Sequence, residues 1–228
     1  MQVTKAIVTA MKEEADIIIK KFNLKETIKK GNLTIFEWEY ETTDGKDKIV
    51  LALAGIGKIS AAMATTYLFE NYDIFKLVNI GIAGSVNPLD TKIWDVFLPN
   101  TFIQHDLYLP FEWDHLDYAK KPIFIEYAIW ENIDLTKFGL VMSGVCVTWD
   151  QFIDDPEKVA KFSADYGADV CEMEAFAILS VARDYDALDK CVVIKAVSDG
   201  ADNEAKEAHM DNLDFAMNNS VLVLELVL

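Results

Sequence analysis

Three acidic groupings stand where the chain turns from a strand-like run into something else: Glu13-Glu14, Glu172-Met173-Glu174 and Ser198-Asp199. Two carboxylates around an apolar methionine make poor core material, because acids are almost never fully buried without a partner. Side chains of this type transfer protons or stabilise developing positive charge. A structural reading also fits, since acids near a helix N-terminus favour the positive end of its dipole, and Glu13 suits that role. What favours a ligand site is convergence. The run Cys191 to Val197 reads as a strand and ends in Ser198-Asp199, one strand after the Glu172/Glu174 pair. In an open parallel sheet the carboxyl ends of the strands line the ligand crevice.

The elements that must carry these acids follow from periodicity. Lys5 to Ala10 is a short apolar run and reads as a buried first strand. Met11-Lys12-Glu13-Glu14 then opens an amphipathic helix with apolar positions Ala15, Ile18, Ile19 and Phe22. Leu33 to Tyr40 alternates and Lys48 to Ala54 is apolar; Thr43-Asp44-Gly45-Lys46 between them predicts a hairpin. Gly55-Ile56-Gly57-Lys58 leads into a helix from Ile59 to Tyr72, a weak dinucleotide fingerprint because Ser60 replaces the third glycine. Lys76 to Ile80 is a further buried strand running into Gly81-Ile82-Ala83-Gly84, which reads equally as a backbone ligand cradle or as a tight turn. Trp94 to Phe102 and Phe138 to Val147 are expected as strands, Pro156 to Phe162, Phe176 to Arg183 and Asp211 to Val227 as helices. His105 is expected to make structural hydrogen bonds. The segment Leu107 to Tyr118 is dense in aromatics (Tyr108, Phe111, Trp113, Tyr118) and predicts a partner subunit, a ligand lid, or both.

The 228 residues suit one α/β domain over 1–228, and 52 % hydrophobic residues suit a large core. A net charge of −17 argues against nucleic acid and against an anionic membrane surface. No apolar run reaches membrane-spanning length, and Met1 to Ala6 lacks the features of a signal peptide, so a cytoplasmic protein is expected. Cys146, Cys171 and Cys191 match no metal or redox spacing and read as buried free thiols; His105, His115 and His209 form no metal pair.

Five motifs, in order, carry a resemblance: Ala10-Met11-Lys12-Glu13-Glu14; Gly55-Ile56-Gly57-Lys58; Asn79 to Gly84; Asp150-Gln151-Phe152-Ile153; and Val170 to Ala175 with Ala196-Val197-Ser198-Asp199. The chain resembles the nucleoside phosphorylase/hydrolase family, most closely its bacterial methylthioadenosine/S-adenosylhomocysteine nucleosidases. The resemblance implies a twisted mixed β-sheet flanked by helices, a homodimer, a small nucleoside substrate, and no cofactor or metal. It implies hydrolysis of the N-ribosidic bond of 5′-thio-substituted adenine nucleosides. By resemblance Asp199, held by Ser198, serves N7 of the purine; Glu174 binds the ribose 2′-hydroxyl; Glu14 orients and deprotonates water. Phe152 stacks on adenine, the Ile153 backbone reads its polar edge, and Ile56, Met173 and Leu109 line the ribose and 5′ side. Ile82, Glu172 and Lys195 complete the expected substrate-binding set.

The chain departs from the family pattern in several places. Lys195 stands where these nucleosidases carry Arg, Trp149 replaces a Gly, Tyr127 to Phe138 is short for a helix, and His209-Met210 replaces a capping Phe. For Lys195 two readings stand: a pair with Glu14 or another acid, or a contact to the ribose 3′-hydroxyl or attacking water. Phosphorolysis is the nearest rival, and it needs cationic groups for the phosphate. The phosphorylases carry an Arg where this chain has Asn79. A non-catalytic nucleoside-binding or storage protein is the rival of another class; the joint presence of Glu14, Glu174 and Asp199 argues against it.

Overall fold

The computed structural model describes residues 3–43, 45–87, 91–111, 113–127, 140, 141 and 143–228. In chain order the elements are β1 (Thr4–Thr9), α1 (Lys12–Phe22), β2 (Lys25–Lys30), β3 (Leu33–Thr42), β4 (Gly45–Leu53), α2 (Lys58–Asn71), β5 (Ile74–Ser85), β6 (Val96–Phe97) and β7 (Thr101–Gln104). There follow α3 (Asp117–Lys120), β8 (Ile123–Phe124), β9 (Leu140–Val141), β10 (Val145–Thr148), α4 (Pro156–Tyr166), β11 (Val170–Glu172), α5 (Ala175–Asp184), β12 (Cys191–Asp199) and α6 (Ala205–Val227).

The strands join one mixed sheet in the order β2-β3-β4-β1-β5-β11-β10-β7-β8, with β12 also on β5, β6 on β12 and β9 on β6. Period-two alternation sorts the side chains to two faces. Ala6 and Val8 of β1, with Val193 and Val197 of β12, pack in the layer of α2 and α5. Ile7, Val192, Ile194 and Ala196 pack in the layer of α1 and α6. Helices thus cover both faces, as the near-continuous burial of β1, β5 and β12 requires. Among the described residues no helix is long and apolar enough to cross a membrane.

β5 is the hub. It pairs with β12 in parallel along most of its length. With β1 it pairs only over Ile74–Asn79, and with β11 only at Gly84 and Ser85, antiparallel. Residues 80–83 therefore have no register partner in either β1 or β11, and the sheet splits beside them.

Local chemistry explains the helix ends. α4 has Asp155 as N-cap, accepting from Glu157 N at 3.0 Å, Pro156 at the first position, and Gly167 as C-cap. α1 stops at Asn23, which adopts the left-handed conformation (φ 52°).

Three sequence expectations need correction, and one strand has no counterpart among them. The run Trp94 to Phe102 is not one strand but β6 and β7, and Phe138 to Val147 divides into β9 and β10, its residues 138, 139 and 142 lying outside those described. The two breaks have one cause: β6 pairs with β9 on the β12 arm, whereas β7 pairs with β10 on the β11 arm. β2 went unread because it is almost wholly polar, an edge strand carrying Lys25, Lys29 and Lys30. α6 starts at Ala205, six positions before the expected start at Asp211, and after Ala205 its buried stripe resumes at Leu213. The short segment Tyr127 to Phe138 lies outside the described residues after its first position.

Candidate active site

A cavity of about 170 Å³ opens at the split in the sheet. Glu14 enters it from α1. As the third residue of that helix it reaches back to cap its own N-terminus, its Oε2 accepting from Met11 N at 2.9 Å and Ala10 N at 3.1 Å. The Thr9 hydroxyl donates to the same oxygen at 2.7 Å, and Ile82 N donates to Oε1 at 3.1 Å. The Ile82 amide belongs to the stretch of β5 that neither β1 nor β11 covers, so the acid satisfies a donor the sheet leaves open.

Glu174 lies opposite, at the N-cap of α5. Its Oε1 accepts from Gly57 N at 2.8 Å. Gly57 has φ 93° at the N-terminus of α2, a conformation that favours glycine, and a Cβ there would meet Asp150 Oδ1 at 3.1 Å. Burial pushes the Glu174 carboxyl up to about 7, against the pull of Lys195 and with the help of the Glu172 and Glu14 charges.

Glu172 is held differently. Its Oε2 accepts from Lys195 Nζ at 2.8 Å, Ala175 N at 2.8 Å and Glu174 N at 3.0 Å. The Thr148 hydroxyl donates to its Oε1. Burial alone would raise this carboxyl, but the Lys195 ammonium and these hydrogen bonds outweigh it and hold Glu172 below the ordinary carboxylate value. Burial opposes the Lys195 charge, yet Glu172 and Glu174 overcome that and raise its proton affinity.

Asp199 ends β12. Its Oδ2 accepts from Ser198 Oγ at 2.7 Å and its Oδ1 from Ala201 N at 2.9 Å. His209 Nδ1 lies 3.6 Å from the same Oδ2, and its ring meets Phe152 edge-on at 5.5 Å.

Of the residues chosen from sequence, Glu14, Ile56, Ile82, Phe152, Ile153, Glu172, Met173, Glu174, Ser198 and Asp199 line this cavity. Leu109 and Lys195 do not. Leu109 lines a separate depression with His105, Tyr108, Lys161 and Tyr166. The chain after β7 touches the cavity rim through Asp106, which holds Lys58 and the Asp150 amide, and then turns toward α4, where Leu109 lies. Lys195 is buried with its ammonium on Glu172, so of its two readings the structure shows an acid pair, with Glu172 rather than Glu14. His105 donates to or accepts from Tyr166 Oη at 3.0 Å and packs on Trp149 and Phe162, away from the cavity.

The sequence did not single out Met11 or Cys171, which also line the cavity. Cys171 directly precedes Glu172 and Met11 lies three positions before Glu14, and that nearness is the signal that could have found them. Cys171 and the other two cysteines are free and buried, and burial raises all three thiols. Among the described residues no group of three or more His, Cys, Asp and Glu is placed to hold a metal ion. Nor does any Lys or Arg line the cavity among them.

The family model of the Phosphorylase superfamily matches residues 4–228. The 5′-methylthioadenosine/S-adenosylhomocysteine nucleosidase of Bacillus subtilis (strain 168) is 30 % identical, over 98 % of this chain and 96 % of its own. The aminodeoxyfutalosine nucleosidase of Campylobacter jejuni is 29 % identical with the same coverage. The Helicobacter pylori 5′-methylthioadenosine/S-adenosylhomocysteine nucleosidase structure superposes with a TM-score of 0.84 at 22 % identity, covering 99 % of this chain and 97 % of that one. The futalosine hydrolase of the same species gives 0.83 at 23 %, also covering 99 % and 97 %. These structures share the fold.

Proposed function

The chain belongs to the phosphorylase superfamily, and from that premise we propose that it hydrolyses the N-ribosidic bond of 5′-thio-substituted adenine nucleosides, methylthioadenosine and S-adenosylhomocysteine. One observation carries the choice of water over phosphate. Glu14, Glu172, Glu174 and Asp199 line the cavity, and among the described residues no Lys or Arg does. A phosphate dianion placed among carboxylates without a cation is strongly disfavoured, whereas an oxocarbenium-like ribosyl group is favoured.

In this reading Glu14 accepts a proton from the water that attacks C1′. The electron pair of the C1′–N9 bond passes to the base, and Asp199, braced by Ser198, relays a proton taken up from solvent to N7 so that adenine leaves neutral; the proton that Glu14 took from water returns to solvent, which resets the site. Glu174 holds a ribose hydroxyl and places negative charge beside the cationic sugar. Phe152 and Ile153 flank the base, while Ile56, Ile82 and Met173 supply apolar walls. We extend the proposal to a homodimer, for which the exposed aromatic segment after β7 is the motive.

The 29 % identity to an aminodeoxyfutalosine nucleosidase supports a second reading at the same site, with a bulkier 5′ group. Release of the purine base, adenine from methylthioadenosine, S-adenosylhomocysteine, aminodeoxyfutalosine and adenosine or hypoxanthine from inosine, each with and without phosphate, tests both. Phosphate-independent release with 5′-thio substrates preferred is expected. Strict phosphate dependence sinks the hydrolase reading, and a preference for aminodeoxyfutalosine selects the second substrate. Binding of adenine without any cleavage favours a non-catalytic protein.

A further inference from the structure

We propose that Lys195 is a positioning residue: a buried counter-ion that anchors Glu172 beneath the cavity and, through it, fixes the turn that presents Glu174.

The acceptor inventory of Glu172 is the first support. Its Oε2 takes the Lys195 ammonium and two backbone amides, those of Glu174 and Ala175. Its Oε1 takes the Thr148 hydroxyl, and Thr148 Oγ1 in turn accepts from Phe176 N at 3.1 Å. One carboxylate thus organises residues 174–176, the first turn of α5. Glu172 also lines the cavity, but its oxygens are committed to the protein, so its work is to shape the site. A buried carboxylate with three protein donors still needs a cation, and Lys195 of β12, reaching from the far side of β5, supplies it; both side chains are 2 % exposed.

The second support is what else that cation meets. Glu174 faces Lys195 of β12, Glu172 of β11, Glu14 of α1 and the Gly57 amide ahead of α2. Asp199 of β12, Cys171 of β11 and His209 of α6 share its cavity, and Cys146 of β10 lies against the Lys195–Glu172 pair. Lys195, first, and the Gly57 amide make ionisation of Glu174 easier, while Glu172 and Glu14 oppose it; Lys195 is the charged group of the two. Gly81 shows how close the arrangement is. A Cβ on it would fall 2.8 Å from Glu14 Oε1 and 3.7 Å from Lys195 Nζ, so the glycine leaves the acid and the ammonium a shared space.

The inference rests on the proposed nucleosidase reading only in its kinetic arm. In the ligand-free protein the Glu174 carboxyl is titrated by ¹³C NMR, and the Ala175 and Phe176 amides are followed by hydrogen exchange. Lys195→Met is expected to raise the Glu174 midpoint by about one pH unit or more and to speed exchange at both amides. Lys195→Arg, which keeps the charge, is expected to restore the midpoint. With methylthioadenosine, Lys195→Met is expected to lower kcat about tenfold or more at neutral pH with KM little changed, part of the loss returning as pH rises. Should Lys195→Met fail to fold, the Lys195→Met/Glu172→Gln protein removes both charges of the pair and carries the test through the amide exchange. A folded Lys195→Met protein in which Glu174 titrates as in wild type overturns the proposal, as does a double variant with wild-type exchange at Ala175 and Phe176. If the wild-type protein cleaves no nucleoside, the nucleosidase reading fails while the titration still decides the role of Lys195.

Discussion

The backbone amide of Ile82 donates to Oε1 of Glu14 at 3.1 Å, joining the first helix to the middle of β5 across the split in the sheet. The contact exists because β1 stops pairing at Asn79 and β11 starts only at Gly84. It also explains Gly81 without any special backbone angle. Ala at that position would put a methyl group 2.8 Å from the same carboxylate oxygen, and either the acid or the strand must yield. Gly81→Ala is expected to fold with a loss of about 1–3 kcal/mol and to lower kcat about tenfold or more. Wild-type kcat in that variant would show that Glu14 need not hold this position.

Glu14→Gln is expected to cost both activity and stability. Three donors converge on Oε2 and one on Oε1, so the amide nitrogen of Gln must face a donor whichever way it turns. The expected loss is about 1–3 kcal/mol in stability and about 10²–10⁴-fold in kcat. Denaturant melts alongside steady-state kinetics separate the two. A kcat within threefold of wild type, with binding retained, removes Glu14 from its proposed role.

Asp199→Asn should behave differently. One oxygen accepts from the Ala201 amide and can remain an oxygen, while the other faces the Ser198 hydroxyl, which can rotate to accept from an amide. Stability is therefore expected to stay near wild type while kcat falls by about 10²–10⁴-fold. Substrates whose leaving group needs no proton, such as a nitrophenyl riboside, are expected to recover most of that loss; equal loss on both substrates argues against an acid role.

Much of this site was legible in the sequence because burial logic exposes it. Acids at strand ends, such as Glu174 and Asp199, are conspicuous in apolar surroundings. The β3–β4 hairpin and α1 followed from alternation and from 3.6-residue periodicity. The branching at β5 was not legible, because which arm of a sheet a short strand joins depends on partners far away in sequence. For the same reason Trp94 to Phe102 reads as one strand, and the turn that carries Leu109 toward α4 is set by contacts no local pattern shows. Lys195 was visible as an anomaly, but whether it met Glu14 or Glu172 depended on the register of β12 against its neighbours.

The segment after β7 leaves Tyr108 83 % and Tyr118 64 % exposed, with Phe111 and Trp113 stacked at 4.8 Å and half exposed. Aromatic surface on this scale favours a partner. Sedimentation at micromolar concentration is expected to give a dimer, weakened by Phe111→Ala with Trp113→Ala. A monomer at that concentration rejects the homodimer; a dimer indifferent to both changes places its interface elsewhere.

Glu174→Gln provides a test of the site's electrostatics that needs no substrate. Burial, aided by Glu172 and Glu14, raises the Glu174 carboxyl from its ordinary 4.5 to about 7. The folded state thus binds this proton more tightly than the unfolded chain does. Its contribution to stability is fully present below about pH 4.5 and is lost as pH rises through about 7. Glu172 runs the other way: held below the ordinary value, it stabilises above about 4.5 and loses that contribution as pH falls. Gln at position 174 keeps an oxygen for the Gly57 amide but cannot ionise. Relative to wild type, the variant is therefore expected to gain stability steadily between pH 4.5 and 7, by on the order of 1–3 kcal/mol, and to hold that gain above pH 7. Paired urea melts at pH 4.5, 6 and 8 measure the difference. A difference that stays flat across that range means Glu174 titrates as an ordinary carboxylate, and the crowding of acids around it is then too weak to matter.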